Sequence, residues 1–509
     1  MLSKILTASI QGIEAKPVFV ETDISKGLPA LNIVGLGDTT VKEARERIRL
    51  AIQNSGIAYP NSRITVNLSP ANVKKKGSHF DLAMAVGIMA SSRLLFDGEL
   101  EKYCFIGELS LDGGINRVEG ILPMVLAMRK QSVKKVIIPM GNREEALLVQ
   151  DMEIYPAEDL ESVINHFNYK DKLKVYINEE RNISKLALPK RKLSLDYSDI
   201  MGEESAKRAI SIAVAGNHGI IMTGSPGTGK TMISERIPTI MPEMTYDEIL
   251  ETTVIYSVAG NLSEEIPYII DRPFRQPHHR ITPAGLIGGG GNPKPGEISL
   301  ANKGVLFLDE IGEYDRNLIE LLRLPLEKKK INIFRGGINY VFPADFMLVA
   351  ATNPCKCGYY GDPTHQCKCT AGEIERYRAK LSGPILDRID MSIELTPITY
   401  NQLNGTKTES SLDMKMEIER VRKVQRERYA KEGIQFNSQL EENQIEKFCH
   451  LKPEGNEMME RAFSRLGLNP RTFWKVLKVA RTVADFQQSE EITTAHIGEA
   501  LQYRMGKEN

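Results

Sequence analysis

The sequence predicts an α/β protein built from three domains, and three observations along the chain support that fold class. In the first block, residues 1–168, short alternating runs typical of strands separate helical stretches. In the central block, residues 194–398, strand-like runs alternate with helices around a glycine-rich loop. From residue 399 to residue 509 the chain is charged and helical. The charged stretch 169–193 lacks clear periodicity and is predicted to be a linker.

Composition limits the class of protein. The 509 residues are 41% hydrophobic, enough for two or three cores, and 66 basic residues balance 66 acidic ones. Overall charge therefore argues neither for nor against a nucleic-acid partner. No apolar run approaches the roughly 20 residues that span a bilayer, and residues 1–20 lack the apolar core of a signal peptide. We expect a cytoplasmic protein with no membrane partner.

The first block is predicted to be an α+β or α/β domain, and the resemblance described below implies α+β. Residues 17–20, 64–68 and 136–139 have the apolar composition of short strands. A helix is expected to follow Asp38 or Thr39, because both side chains cap helix N-termini well. The apolar stripe of that helix consists of Val41, Ala44, Ile48, Ala51 and Ile52.

The central glycine-rich loop fits the pattern GxxxxGK[ST] over residues 224–231, between an apolar strand at 219–223 and a helix continuing through 232–236. This setting predicts a loop whose backbone N–H groups surround the phosphates of ATP. Lys230 is expected to reach the β- and γ-phosphates, and the Thr231 hydroxyl to hold Mg²⁺. The predicted nucleotide-binding residues are Gly224, Ser225, Pro226, Gly227, Thr228, Gly229, Lys230 and Thr231.

Two further strand ends carry polar side chains. The apolar run 305–308 ends at Asp309 and Glu310, the form of a Walker B strand. Asp309 is expected to hold Mg²⁺ through water, and Glu310 to orient and activate the attacking water. The run 346–351 leads to Asn353, which standing alone reads as a turn residue before a proline. In this order along the chain, Asn353 resembles the sensor-1 residue of AAA+ ATPases.

Two arginines complete the resemblance to AAA+ ATPases. Arg388 stands between two acids, Asp387 and Asp390, and its simplest interpretation is a surface salt bridge. The resemblance instead implies an arginine finger delivered to the ATP of a neighbouring subunit. Arg471, at the predicted start of a helix, matches the sensor-2 position and is otherwise an ordinary helix-start arginine.

Several longer segments are similar to the magnesium-chelatase-like AAA+ family typified by YifB and ComM. They include the sequences RQPHH at 275–279, PGEISLA at 295–301, NPCKCG at 353–358 and the segment 381–390. The resemblance covers essentially the whole chain. It implies a hexameric ring, ATP and Mg²⁺ as cofactors, an insert near residues 253–295, a hairpin before sensor 1 and a C-terminal helical lid.

The first block resembles the Lon-protease-like fold, the ribosomal protein S5 domain 2-like fold. Lon proteases use a serine and a lysine, but the matched serine position here is His79, with Ser78 beside it. The second matched segment, residues 119–124, contains no lysine. Because a Ser–Lys pair needs an amine as its base, no peptidase activity is expected.

The hairpin is also predicted from the residues alone. Runs at 331–335 and 338–342 flank Gly336 and Gly337, a strong two-residue turn signal. Its basic residues can face nucleic acid in the ring pore or form a solvated surface, and both interpretations stay open. They are Lys328, Lys329, Lys330 and Arg335.

Four of the six cysteines form two C-x-C pairs: Cys355, Cys357, Cys367 and Cys369. Four thiolates can satisfy a tetrahedral Zn²⁺, although the spacing is tighter than that of the usual CxxC knuckle. The alternative is a polar loop with four reduced cysteines. We favour a structural zinc that braces the loop after sensor 1.

Three functions are consistent with these motifs. The family resemblance implies a DNA motor that migrates branches or unwinds DNA in recombination or natural transformation. The alternatives are the ATPase subunit of a metal chelatase and a regulatory ATPase that remodels proteins. The first block favours the motor over the chelatase. Arginines in the C-terminal block lean mildly towards DNA, although a solvated helix face explains them nearly as well: Arg420, Arg422, Arg426, Arg428, Arg461 and Arg465.

Overall fold

The computed structural model describes residues 2–35, 37–96, 98–179, 195–381, 385–397 and 409–505. It confirms the predicted fold class in outline, since a mixed α/β chain contains a parallel sheet and ends in helices. Most of the predicted linker lies outside the described residues, as do residues 382–384 within the segment 381–390. No helix in the described ranges is long and apolar enough to cross a bilayer.

The N-terminal part is built on an eight-stranded mixed sheet with the strand order β10-β9-β8-β5-β1-β2-β4-β3. The strands are β1 (Ser3–Gln11), β2 (Glu14–Ser25), β3 (Ala30–Val34), β4 (Arg63–Ser69), β5 (Tyr103–Phe105), β8 (Lys135–Pro139), β9 (Glu153–Ala157) and β10 (Tyr176–Ile177). A separate two-stranded ribbon joins β6 (Glu108–Leu109) to β7 (Ile115–Asn116).

Helices cover this sheet: α1 (Thr39–Asn54), α2 (Asp81–Ser91), α3 (Ile121–Lys130), α4 (Arg143–Ala146) and α5 (Leu160–Phe167). The predicted cap of α1 is confirmed, because Asp38 Oδ1 accepts the N–H of Val41 at 3.0 Å. Its predicted apolar stripe is also confirmed, since Val41, Ala44, Ile48, Ala51 and Ile52 are all 0% exposed. The apolar spacing therefore sets which face of the helix packs on the sheet.

The central part contains a five-stranded parallel sheet with the order β12-β15-β18-β11-β19. Its strands are β11 (Ile220–Gly224), β12 (Phe274–Arg275), β15 (Val305–Leu308), β18 (Met347–Thr352) and β19 (Met391–Leu395). Strand β11 precedes the glycine-rich loop at 224–231, called here the phosphate loop, β15 precedes Asp309 and Glu310, and β18 precedes Asn353. These three strands are consecutive neighbours in the sheet. Parallel strands end at one edge, so all three motifs meet there.

The remaining central elements surround this sheet. The helices are α6 (Glu204–Gly216), α7 (Lys230–Ile240), α8 (Tyr246–Ala259), α9 (Pro283–Ile287), α10 (Glu297–Leu300), α11 (Arg316–Leu321), α12 (Arg323–Lys328) and α13 (Ala371–Leu381). Short ribbons pair β13 (Gly288–Gly289) with β14 (Lys294–Pro295), and β16 (Lys330–Arg335) with β17 (Ile338–Pro343). The second ribbon confirms the predicted hairpin.

The C-terminal helices are α14 (Ser411–Arg428), α15 (Glu442–Phe448), α16 (Pro453–Arg465), α17 (Pro470–Phe486) and α18 (Thr494–Met505). The exposed-arginine interpretation is wrong for two side chains of α14. Arg422 is 6% exposed, donates to the Val214 carbonyl at 2.7 Å and lies 4.6 Å from the Phe436 ring centre. Arg428 pairs with the buried Asp485 at 2.9 Å. Both arginines hold helices together.

The N-terminal part packs directly on the central part through α8. Ile249 and Val254 of α8 share one apolar core with buried side chains of α3 such as Met124. The Gly120 N–H donates to the Ser257 carbonyl at 3.1 Å, which links the start of α3 to the end of α8. The core and this hydrogen bond therefore join α8 to the N-terminal part.

Candidate nucleotide-binding site

The phosphate loop connects β11 to α7, as the sequence predicts. Gly227 and Gly229 adopt φ values of +84° and +83°, in the left-handed region that favours glycine. An added Cβ at either position would meet nothing within 4 Å, so the loop borders open space. Inside the loop, Thr228 Oγ1 donates to the Ser225 carbonyl at 2.9 Å. The loop opens at the N-terminus of α7, where the helix dipole favours an anion.

Lys230, the first residue of α7, lies at the centre of the site and is only 8% exposed. Its Nζ donates to the carbonyls of Gly224 at 2.6 Å and Ser225 at 2.9 Å, and to Asn353 Oδ1 at 3.2 Å. Burial lowers the pKa of Lys230, while the charges of Asp309 and Glu310 oppose that shift. The amine is therefore held at the end of three strands, next to two acids.

Thr231 and Asp309 also meet directly. Thr231 Oγ1 donates to Asp309 Oδ2 at 3.0 Å, which places a hydroxyl and a carboxylate where a divalent cation takes oxygen ligands. The next residue, Glu310, adopts φ 50° and ψ 49°, a strained conformation for a residue with a side chain. Glu310 remains exposed at the same edge of the sheet.

Arg388 lies at the other edge of this sheet. It ends a short 3₁₀ helix, and two residues later the Asp390 N–H donates to the carbonyl of Gly219, just before β11 begins. The phosphate loop follows β11, roughly 15 Å away along a five-residue strand. Arg388 is paired with Glu327 of α12, and its side chain is 6% exposed. The backbone of Arg388 therefore lies at the end of β11 opposite the phosphate loop of its own chain.

Arg471 is exposed near the start of α17, which confirms its predicted place at the beginning of a helix. In the described part of the chain, the side chains that contact the phosphate loop come from the central part instead: Asp309, Asn353 and Asp362. The structure thus brings Lys230, Thr231, Asp309 and Asn353 together and leaves the two predicted arginines outside that group.

The sequence interpretation missed Asp362. Its carboxylate lies beside the Ser225 side chain of the phosphate loop, and this neighbour holds the pKa of Asp362 below its usual range. The same carboxylate accepts the N–H groups of Thr364 at 2.8 Å and His365 at 2.9 Å. An acid two residues before a threonine indicates a local turn but gives no sign of its distant partner.

In the N-terminal part, the side chains of Ser78 and His79 form hydrogen bonds within the domain. The Ser78 hydroxyl donates to Glu108, and His79 Nε2 lies 3.0 Å from the Ala8 carbonyl. Burial lowers the pKa of His79 to about 4. The sequence interpretation also missed Lys75, which is 0% exposed and donates its amine to the Pro70 carbonyl. The Lys75 amine, three residues before Ser78, thus contacts a backbone carbonyl oxygen.

The chain matches two named proteins along nearly its full length. The chain is 41% identical over 509 residues to the competence protein ComM of Haemophilus influenzae, covering 99% of this chain and 97% of that protein. It is 40% identical over 505 residues to the uncharacterized protein YifB of Escherichia coli, with the same coverage. The chain belongs to the YifB/ComM family.

Family models also place the YifB/ComM chain among magnesium-chelatase-like proteins. The model described as magnesium chelatase, subunit ChlI, matches residues 196–403. Those for subunit ChlI of Mg-chelatase and for the ChlI C-terminal region match residues 20–142 and 408–504. A magnesium-chelatase subunit ChlI from Olisthodiscus luteus is 26% identical over 189 residues, covering 35% of this chain and 54% of that protein.

Membership of the YifB/ComM family implies an AAA+-type ATPase that uses ATP and Mg²⁺. The residues present fit both. The open space beside Gly227 and Gly229 leaves room for phosphate oxygens, and the Lys230 amine supplies positive charge there. The Thr231 hydroxyl and Asp309 carboxylate supply the oxygen ligands that Mg²⁺ prefers.

Proposed function

We propose that this protein is an ATP-hydrolysing AAA+ ring motor that acts on DNA in the cytoplasm. In this proposal it drives branch migration or unwinding during recombination or natural transformation. The observation that carries the ATPase activity is the convergence of three strand ends, where Lys230 contacts Asn353 and Thr231 contacts Asp309. A phosphate-binding loop, a cation site and a polar sensor then act on one nucleotide.

The proposed reaction is attack of water on the γ-phosphorus of ATP, which breaks the bond to the β–γ bridging oxygen and releases ADP and inorganic phosphate. Lys230 binds the β- and γ-phosphates and offsets their negative charge. Asn353 helps to orient these phosphates. Thr231 and Asp309 would hold Mg²⁺, and the bound ion would neutralise charge on the phosphates. Glu310, at the open edge of the site, accepts a proton from the attacking water and orients it.

The position of Arg388 supports a ring. Its backbone lies at the opposite end of β11 from its own phosphate loop, which supports contact with a nucleotide in another subunit. We propose a hexamer in which Arg388 leaves Glu327 and contacts the neighbouring ATP, while Arg471 on the C-terminal lid acts as sensor 2. An arginine supplied in this way stabilises charge in the transition state.

The hairpin supplies the surface proposed to touch DNA. Phe334 is 77% exposed at its tip, beside the exposed Arg335 and near the exposed Lys330. Lys74 of the N-terminal part lies so close that a Cβ on Gly336 would be 2.9 Å from its Nζ. An aromatic ring among basic side chains suits stacking on bases and contact with phosphates.

One of the four basic residues predicted on or beside the hairpin, Lys329, forms an ion pair with another part of the chain. Lys329 pairs with Asp345 at 3.3 Å, and its N–H donates to the Pro325 carbonyl at the end of α12. The proposed DNA surface therefore consists of Lys328, Lys330, Phe334, Arg335 and Lys74. Phe334 was not predicted from the sequence, because one phenylalanine in a β run reads as a core residue.

The N-terminal part is proposed to be a Lon-like domain without peptidase activity. The Ser78 hydroxyl donates to Glu108, and the Lys75 amine donates to the Pro70 carbonyl. Lys76, the lysine closest to Ser78 in sequence, donates to Gly291 and Asn292 instead. A serine activated by lysine needs a hydrogen bond between the two side chains. We propose that this domain occupies residues 1–168 and moves with α8 as the ring hydrolyses ATP.

The function is tested by ATPase assays with forked DNA, single-stranded DNA, protoporphyrin or no addition. The motor proposal expects stimulation by DNA, with activity lost in Lys230→Ala and Glu310→Gln. Indifference to every form of DNA would refute it. Stimulation by protoporphyrin would instead support the chelatase alternative, whose named relatives match only about a third of this chain.

The hairpin is tested with Phe334→Ala and the matched control Phe96→Ala. Phe96 is 54% exposed and packs edge-to-face against Tyr169 in the N-terminal part, far in sequence from the hairpin. Affinity for single-stranded DNA should fall about tenfold in Phe334→Ala, since stacking contributes roughly 1–3 kcal/mol per base. Equal affinities of the two variants, measured by fluorescence anisotropy, would contradict the proposed surface.

The shared site is tested by mixing two inactive variants, Lys230→Ala and Arg388→Ala. In mixed rings, some interfaces combine an intact phosphate loop with an intact arginine from the neighbour. Partial recovery of ATPase activity is therefore expected. Failure to recover any activity in verified mixed rings would contradict the assignment of Arg388.

A further inference from the structure

The four cysteines form one compact group, called here the cysteine cluster: Cys355, Cys357, Cys367 and Cys369. Three Sγ–Sγ distances are 3.4, 3.5 and 3.7 Å, and all four sulfur atoms lie within 4.8 Å of one another. Four sulfur atoms around a tetrahedral zinc at 2.3 Å would be about 3.8 Å apart. Disulfide sulfur atoms would be bonded at about 2.05 Å. The spacing matches a metal cage.

The surroundings of the cluster also suit a closed thiolate site. The Cys369 N–H donates to Cys367 Sγ at 3.4 Å. Such donors orient sulfur ligands and stabilise their charge. Lys356 and Lys368 stand inside the two C-x-C pairs, next to the negative charge that four thiolates retain around Zn²⁺.

His365 does not compete as a ligand. Its Nδ1 lies 2.9 Å from Thr364 Oγ1, and its ring packs on Tyr359 with centres 4.8 Å apart. The cysteine cluster thus supplies four ligands without it. Because a site with four protein ligands leaves no position for water, the metal here would be structural.

The segment between the cysteine pairs, residues 358–366 and called here the cysteine loop, lies on the phosphate loop. The Asp362 carboxylate lies beside the Ser225 side chain, and the Asp362 side chain is 1% exposed. Gly358, at φ +88°, packs so closely that an added Cβ would be 2.7 Å from Pro226 Cδ. The cysteine loop thus touches two consecutive residues that bind nucleotide in the proposed function.

We propose that the cysteine cluster binds one zinc ion and that this metal holds the cysteine loop against the phosphate loop. The metal joins the two ends of the cysteine loop, which removes conformational freedom from the nine residues between them. Asp362 and Gly358 then keep Ser225 and Pro226 in the conformation that receives phosphate. The coupling rests on the proposed nucleotide site, whereas zinc binding does not.

Metal content tests the first half of this proposal. The full-length protein, purified without a metal-affinity tag, should contain about one zinc per chain by mass spectrometry. The double variant Cys357→Ser/Cys367→Ser should contain none, while the control Cys449→Ser, a buried cysteine outside the cluster, should keep it. Wild-type protein without zinc, or with iron in its place, would overturn the metal assignment.

Nucleotide binding tests the second half, with a fluorescent ATP analogue as the probe. Asp362→Ala should keep its zinc and bind the analogue about tenfold more weakly, within the range of coupling between linked sites. The zinc-free double cysteine variant should show a similar loss while circular dichroism reports a folded chain. The matched control Asp315→Ala removes the exposed N-cap of α11 and should bind normally.

The outcomes separate this proposal from the proposed function. If Asp362→Ala and the zinc-free variant bind the analogue as tightly as wild type, the coupling is wrong even though the nucleotide site stands. If zinc-loaded wild type binds no analogue, the proposed function and the coupling both fail, and the zinc content alone decides the metal site.

Discussion

Two segments of this protein each bury a lysine shortly before or at the start of a helix, and only one of them forms a candidate site. In the phosphate loop, Lys230 begins α7 and is 8% exposed. In the N-terminal part, Lys75 precedes α2 by six residues and is 0% exposed. Both amines donate to backbone carbonyls, and burial lowers the pKa of both.

What differs is the surroundings of the amine. Lys230 has Asn353 within hydrogen-bond distance, Asp309 and Glu310 near enough to oppose its pKa shift, and an open loop beside it. For Lys75, the hydrogen-bond acceptor is the Pro70 carbonyl, and burial is what lowers its pKa. A buried lysine becomes a binding group when opposing acids and space for an anion accompany it, and burial by itself is insufficient.

The largest expected effect separates the two lysines by activity. Lys230→Met should lower ATPase activity by about 10²–10³, the usual loss when a group that stabilises transition-state charge is removed. Lys75→Met, the matched control, should keep wild-type activity per folded molecule. Steady-state phosphate release checks both variants. Similar losses in the two variants would erase the distinction between the two lysines.

The next effect is a pH dependence of stability in the Lys75 segment. His79 has its pKa lowered to about 4 by burial, against 6.5 when unfolded. Between pH 6.5 and 4 the unfolded chain binds a proton that the folded chain does not, so His79 makes stability fall as pH falls. The nearby Asp81, with its pKa raised to about 7, acts in the opposite direction.

The variant His79→Gln isolates the first of these contributions. Relative to wild type, its free energy of unfolding should rise by roughly 2–3 kcal/mol between pH 7 and pH 4.5, since a tenfold change in a proton-binding constant corresponds to about 1.4 kcal/mol. Urea unfolding at a series of pH values measures the difference. A difference that does not change with pH would mean that His79 is solvated, as in an open site.

The two segments also show how far sequence reasoning reaches. Local patterns predicted β11, the hairpin and the α1 cap, because periodicity, turn glycines and capping side chains act over a few residues. The contact of Asp362 with Ser225 joins positions 137 apart in number and depends on how the cysteine loop folds back. Burial of Arg422 likewise depends on helix packing, which charge composition does not encode.

A smaller effect concerns the stability contribution of Lys75. Its buried amine has three donors, and within the described residues it donates to the Pro70 carbonyl, so burial costs much of what the hydrogen bond gains. Lys75→Met keeps the shape and removes the charge, so stability should stay within about 1 kcal/mol of wild type or rise. A loss of several kcal/mol in urea unfolding would show that Lys75 has a stronger partner than this carbonyl.

The smallest expected effect is that of Ser78→Ala. The half-buried hydroxyl donates to Glu108, so its loss should lower stability by about 0.5–1.5 kcal/mol and leave ATPase activity unchanged. Peptidase activity towards an unfolded protein such as casein should be absent before and after the change. Should wild type cleave casein and both Ser78→Ala and Lys75→Met abolish the cleavage, the two side chains would have to meet during turnover. The Lys75 segment would then be a second active site, and burial beside a carbonyl would be its resting state.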